Sequence, residues 1–254
     1  MEKTKRQQGL AELVFAIKKK KEFSEVDDGF VVRIVEKLLK KGEKKETEII
    51  KKARALLRKV VVPMPQKFYK KIEKLEINEE VAKRIVMMNR ATFEREKAGI
   101  YPWLVEFLEN KGKTFIDFGC GVNLIALWCH GLKFDSYIGY DIDNAIVRFL
   151  NKFAKKFDLN AKVFCCDIIE LLNKPMKLEN AVGLFLKVVD GLEEIEPGIS
   201  ENIIELDCKK IVSFSLRSWG GKRIKQRWWF EKLLNTRSIE FEKIIKENEV
   251  FYVF

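Results

Sequence analysis

Residues 114–121 read Thr-Phe-Ile-Asp-Phe-Gly-Cys-Gly. A short apolar run stops at Asp117, and Gly119 and Gly121 follow with one residue between them. Glycines at such a point open backbone conformations closed to other residues, and they let a ligand approach the main chain. Position 124 is Leu, so the third glycine of a dinucleotide fingerprint is missing and no pyrophosphate is expected here. Two further carboxylates end apolar runs. Asp141 closes Tyr-Ile-Gly-Tyr-Asp, 20 residues beyond Gly121, and Asp167 closes Lys-Val-Phe-Cys-Cys-Asp. An acid in the first place accepts from ribose hydroxyls, and one in the second can accept from an exocyclic adenine amine. A glycine loop backed by two such acids describes an adenosine pocket without phosphates, the layout expected for S-adenosylmethionine.

These residues need strands to aim them. From residue 112 onward, strand-like runs at 114–119, 136–143, 161–168, 181–193 and 209–218 alternate with helix-like runs. That alternation predicts a parallel, doubly wound α/β sheet of Rossmann type with right-handed crossovers. The last residues, 238–245 and 249–254, read as a closing hairpin. The first 97 residues read as all helical: 8–21, 29–41, 45–60, 66–76 and 78–97. In the second of these Val32, Ile34, Val35, Leu38 and Leu39 fall on one stripe, and Asp27 or Asp28 is placed to cap it. Pro63 and Pro65 end the third.

Charge divides the chain near the same boundary. Residues 1–90 hold 25 Lys and Arg against 14 Asp and Glu, whereas 91–254 hold 24 of each. The whole net charge of +11 therefore sits in the helical third, which predicts two domains: 1–97, basic and docking on an acidic partner, and 98–254, the sheet. An RNA backbone is such a partner. The five cysteines form no Cys-x-x-Cys pair and His130 is the only histidine, so a tetrahedral zinc site is not expected. Scattered thiols suit a reducing cytosol, and the charged start lacks a following apolar run. The expectation is a soluble, cytoplasmic monomer without membrane association.

The chain resembles the Arm/Rmt family of small-subunit ribosomal RNA guanine-N7 methyltransferases, known for aminoglycoside resistance. The resemblance runs over nearly the whole chain. Asp117 through Ala126 resembles the family's Asp-x-(Gly/Ala)-Cys-Gly-x-Asn-Pro-Leu-Ala loop, and Asn89 through Arg95 its His-Ala-Ser-Thr-x-Glu-Arg segment. Phe185-Leu186-Lys187, Ser213 through Lys222, and Trp229-Phe230-Glu231 match later points. The resemblance implies a class I fold with S-adenosylmethionine as cofactor and 30S rRNA as partner. It also implies that Arg95 grips the cofactor's carboxylate, as a guanidinium fork does well. Asn89, Arg90, Ala91 and Thr92 would line the same edge, with Asp117, Gly119, Gly121, Asp141, Ile142, Asp167, Ile168 and Leu186 completing the cofactor site. The chain departs from the family at Asn89, where the family has histidine, at Leu124, where it has proline, and in a shortened stretch at 223–228. The last lies on the target side.

Guanine N7 carries a lone pair and no proton, so its methylation needs no general base; positioning and electrostatics supply the rate. No catalytic base is therefore named. Lys187, Ser215, Arg217, Ser218 and Trp219 sit at later strand ends where a flipped base would rest, and Trp219 or Trp228 is suited to stack on it. Two alternatives stay open from sequence: a methyltransferase for another RNA or base atom such as adenine N1, and a ribosome-binding factor that has lost catalysis.

Overall fold

The computed structural model describes residues 2–61, 64, 74–217 and 228–254. Of the helix expected at 66–76, residues 66–73 lie outside the described residues and 74–76 are not α-helical; Ser218 and Trp219 also lie outside the described residues.

Helices α1 (Glu2–Lys18), α2 (Asp28–Lys40) and α3 (Glu46–Val60) come first. Asp27, not Asp28, caps α2, its carboxylate accepting from the Phe30 N–H at 2.9 Å. The buried stripe of α2 is Phe30, Val31, Ile34, Val35 and Leu38. Leu39 falls outside it, exposed at 37%.

The run expected as one helix over 78–97 is two, α4 (Glu79–Met88) and α5 (Arg90–Lys97). Asn89 makes the break. Its backbone is extended, and its side chain accepts from the N–H groups of Ala91 and Thr92 at 3.1 and 3.3 Å, competing with the continuing helix as Asn does. Helix α6 (Ile100–Glu109) follows.

The sheet is built from β1 (Thr114–Phe118), β2 (Ser136–Asp141), β3 (Ala161–Cys165), β4 (Ala181–Leu186), β5 (Lys209–Ser215), β6 (Glu242–Lys246) and β7 (Glu249–Val253). Its order is β3-β2-β1-β4-β5-β7-β6, parallel except for β7, which runs antiparallel between β5 and β6. All six residues of β4 are buried, as a central strand covered on both faces requires. Helices α7 (Asn123–Cys129), α8 (Asn144–Lys156), α9 (Ile168–Leu172), α10 (Val189–Ile195), α11 (Ile199–Glu205) and α12 (Trp228–Thr236) complete the described elements.

Alternation along the strands divides the core in two. Ile116, Phe185, Val212 and Tyr252 face one side, where α1–α3 and α9–α12 pack. Phe115, Leu184, Ile211 and Phe251 face the other, against α4 and α6–α8. The first 97 residues thus contribute to both layers beside the sheet.

One contact ties them to its carboxyl edge. Val26 bridges Asp143 in antiparallel fashion. The Asp27 N–H donates to the Ile142 carbonyl at 2.8 Å, and the Asn144 N–H donates to that of Glu25 at 2.9 Å. Glu25 also pairs with Arg148 at 3.1 Å, and Arg33 with Asp167. No helix among the described residues is long and apolar enough to cross a membrane.

Candidate active site

A cleft of about 350 Å³ opens at the carboxyl ends of β1, β2, β4 and β5. Its floor is the loop after β1. Gly119 has φ +74° and Gly121 φ +48°. A Cβ on Gly119 would stand 2.8 Å from Val188 Cγ2, so the loop approaches α10 only because that atom is absent. The N–H groups of Gly119 and Cys120 both donate to the Tyr140 carbonyl, at 2.8 and 3.0 Å, locking the loop to the end of β2.

Asp141 faces the cleft at that end. Its oxygens accept from the N–H groups of Gly121 (2.8 Å) and Asp143 (2.9 Å). Burial and the nearby Asp143 carboxylate push its carboxyl up to about 6, against the lowering effect of those bonds. Each oxygen retains a second acceptor direction, which suits a vicinal diol. Ile142, Ile168 and Leu186 give the cleft apolar walls, joined by Phe30 and Val61 from the helical third. Asn89, Arg90, Ala91 and Thr92 form one rim, and Lys187, Ser215 and Arg217 another. Ser215 and Arg217 are mutually bonded, the serine hydroxyl donating to the Arg217 carbonyl at 2.7 Å. Trp228 is 68% exposed and does not line the cleft.

Three of the expected site residues make their main contacts within the fold. Asp117 does not line the cleft. It is fully buried, and its Oδ2 accepts from the Tyr137 hydroxyl (2.7 Å) and Asn123 Nδ2 (3.1 Å). Its Oδ1 has no partner, and burial raises the carboxyl to about 6 despite those two bonds. Asp167 is also not a lining residue. One oxygen caps α9, accepting from the Ile169 N–H at 2.9 Å, and the other pairs with Arg33. The carboxylate is thus engaged within the fold instead of standing open for an adenine amine.

Arg95 does reach the cleft, but its fork is occupied. Nε lies 3.1 and 3.0 Å from the two oxygens of Glu249, and Nη2 lies 2.8 Å from one of them. At 1% exposure each, a guanidinium and a carboxylate require such a partner. The bidentate grip falls on the chain's own carboxylate. Arg95 Nη1 continues to Asn123 Oδ1 at 3.1 Å, and through Asn123 to Asp117.

Glu249 itself was missed. It is the one charge in an otherwise apolar closing run, Glu-Val-Phe-Tyr-Val-Phe, and that was the available signal. It accepts also from Ser213 Oγ (2.5 Å) and lies 3.2 Å from Lys187 Nζ. Burial alone would raise its carboxyl, but the charges of Arg95 and Lys187 and the bonds from Arg95 and Ser213 bring it below its ordinary range. Phe30 and Val61 were missed because nothing local marks a core residue of a distant helix as a cleft wall.

A seven-stranded sheet with one antiparallel strand, a glycine loop after β1 and an acid at the end of β2 define a Rossmann-like methyltransferase. The model of the FmrO ribosomal RNA methyltransferase family matches residues 78–253, and the chain belongs to that family. The fold is that of the 16S rRNA methyltransferase RmtF, solved with S-adenosyl-L-homocysteine: TM-score 0.78, 22% identity, 96% of each chain covered. The 16S rRNA methylase RmtB gives 0.74 at 20% identity, covering 96% of this chain and 97% of its own. An rRNA methylase from Escherichia coli gives 0.73 at 20%, covering 96% and 98%. No curated protein matches the sequence.

Proposed function

We propose that this protein methylates N7 of a guanine in small-subunit ribosomal RNA, using S-adenosylmethionine bound in the cleft. The observation that carries this reading is one continuous cleft with the glycine loop and Asp141 at one end and Lys187, Ser215 and Arg217 at the other. At the first, the backbone of Gly119 and Gly121 admits the ligand, Asp141 accepts from its ribose, and Phe30, Ile142, Ile168 and Leu186 enclose its base. Asn89, Arg90 and Ala91 line the amino-acid end, and Arg95 sits behind them in its pair with Glu249. At the second end, Lys187, Ser215 and Arg217 receive the target nucleotide.

The cofactor supplies a methyl on a sulfonium, open to in-line attack by a lone pair. The protein's part is to hold two reactants in line and exclude water. No histidine lines the cleft among the described residues; His130 pairs with Glu96 at 2.8 Å, on α5. A target atom with no proton to remove is the one such a site suits. Residues 1–97, with their surplus of lysine, dock on rRNA phosphates and lend Phe30, Asn89, Arg90 and Ala91 to the cofactor cleft, whose floor comes from 98–254, and the protein acts as a monomer.

Incubation with tritiated S-adenosylmethionine and 30S subunits, followed by mapping of the label, tests this. Label as 7-methylguanine in small-subunit rRNA is expected. Label on an adenine, or none despite S-adenosylhomocysteine binding, overturns it.

A further inference from the structure

Lys187 follows β4 and is one of the non-glycine residues with left-handed backbone, at φ +62°. Such a conformation in a lysine costs energy and marks a position that the surroundings impose. Its N–H donates to the Ser213 carbonyl at 3.1 Å and to Ser213 Oγ at 3.1 Å. Its ammonium is held as well: 3.2 Å from Glu249 Oε2 and 3.3 Å from Glu94 Oε2, with the side chain 14% exposed. Glu249 is immobile in turn, clamped by the Arg95 fork and Ser213. An ammonium has three donors; one is hydrogen-bonded to Glu94 and a second faces Glu249 at ion-pair distance. The side chain lines the cleft beside Ser215 and Arg217.

A cation fixed there has no attraction for the sulfonium, which is also positive. It suits an acceptor on the incoming base. The Hoogsteen edge of guanine offers two, N7 and O6. N7 must stay free to take the methyl, so O6 is the atom left for the ammonium. Adenine puts an amino group at that place, a donor that would face another donor. Methylation also leaves the base with a positive charge; the carboxylates of Glu94 and Glu249 offset the lysine's charge and make that product tolerable.

We infer that Lys187 is a specificity-determining residue that donates its third N–H to O6 of the target guanine, and that Glu249 is the residue that positions it. This rests on the guanine-N7 reading above.

The test compares Lys187→Met, Lys187→Arg and Glu249→Gln with the parent on 30S subunits, reading methyl transfer, S-adenosylhomocysteine affinity by calorimetry and melting temperature. Losing one charged hydrogen bond should lower kcat/KM for 30S by ~10- to 100-fold in Lys187→Met, with cofactor affinity within ~3-fold. Lys187→Arg, which keeps a donor, should recover part of the loss. Glu249→Gln should lower kcat/KM in the same direction. If Glu249→Gln does not fold, Glu94→Gln, on a half-exposed side chain, loosens the ammonium from the other side and should give a smaller drop.

Transfer by Lys187→Met within ~3-fold of the parent overturns the inference. So does an equal fall in cofactor affinity, which would make Lys187 a cofactor ligand. The site of label in the parent is read separately. Label away from guanine N7 defeats the functional reading itself, whereas label at N7 with an indifferent Lys187→Met defeats only the role given to lysine.

Discussion

Asp141 receives a backbone N–H bond from Gly121 in the loop it supports and another from Asp143 beside it, and its carboxyl lies near 6. The ionised form is the better acceptor for ribose hydroxyls. Affinity for S-adenosylhomocysteine should therefore fall as pH drops through about 6. Asp141→Asn should remove that dependence, and Asp141→Ala should weaken binding by about 1–3 kcal/mol; calorimetry across pH 5–8 reads both. Asp117 has a similarly raised carboxyl but no view of the cleft. Its folded-state value exceeds its ordinary one, so the folded chain binds the extra proton. The stability this contributes is present in acid and lost as pH rises through about 6. A rise of about two units corresponds to roughly 2–3 kcal/mol. Urea unfolding of the parent should show that decline between about pH 4 and 7, and Asp117→Asn should lack it. Arg95→Lys keeps the charge but loses the fork on Glu249 and the bond to Asn123. It should lower stability by about 2–4 kcal/mol, visible as a lower urea midpoint without cofactor.

At the scale of elements, the turn after β1 is the least replaceable. Gly119→Ala meets both a positive φ and the Val188 side chain. It should cost about 1–2 kcal/mol and weaken S-adenosylhomocysteine binding. Pairing it with Val188→Ala should recover the steric part and leave the backbone part. Elements of this kind were readable in the sequence. The glycine spacing, the acid ending β2, the alternation giving five parallel strands and the final hairpin all follow from local rules: apolar period, glycine φ and acids at strand ends. What could not be read depends on distance. An Asn at position 89 does not announce that it divides one helical pattern into two. Asp117 and Asp141 end similar strands, yet one meets Tyr137 and Asn123 inside the core and the other meets solvent. Arg95 carries the right chemistry for a carboxylate, but which carboxylate was decided by Glu249, 154 residues away.

For the whole molecule, the governing fact is that the +11 charge lies within residues 1–90. Some of its basic side chains are paired with acids of the same segment: Lys18 with Asp28, Lys20 with Glu22 at 3.2 Å and Arg58 with Glu22 at 2.9 Å. Lys40, Lys41, Lys44 and Lys45 are exposed and make a better probe of RNA docking than the run beginning at Lys18. Reversing these four to Glu should weaken binding to 30S subunits. It should also flatten the salt dependence, by roughly 0.7–0.9 in slope for each phosphate that the protein no longer neutralises. Filter binding across a salt series measures both. An unchanged slope would assign docking to other faces.

The clasp between residues 25–27 and 142–144 makes the two ends of the molecule partners in one equilibrium. The segment that leads into the basic α2 holds the loop carrying Asp141 and Ile142, while Arg33 of α2 holds the cap of α9. Any strain that rRNA places on the helices is thereby felt by the cofactor, and linkage requires that it be felt equally in return. If 30S subunits change S-adenosylhomocysteine affinity by some factor, S-adenosylhomocysteine must change 30S affinity by the same factor. Calorimetry with and without 30S, set beside 30S binding with and without S-adenosylhomocysteine, should give matching ratios that differ from one. In a variant with both Glu25→Ala and Arg33→Ala the two ratios should fall toward one together, leaving a protein that still binds each ligand but no longer reports one to the other.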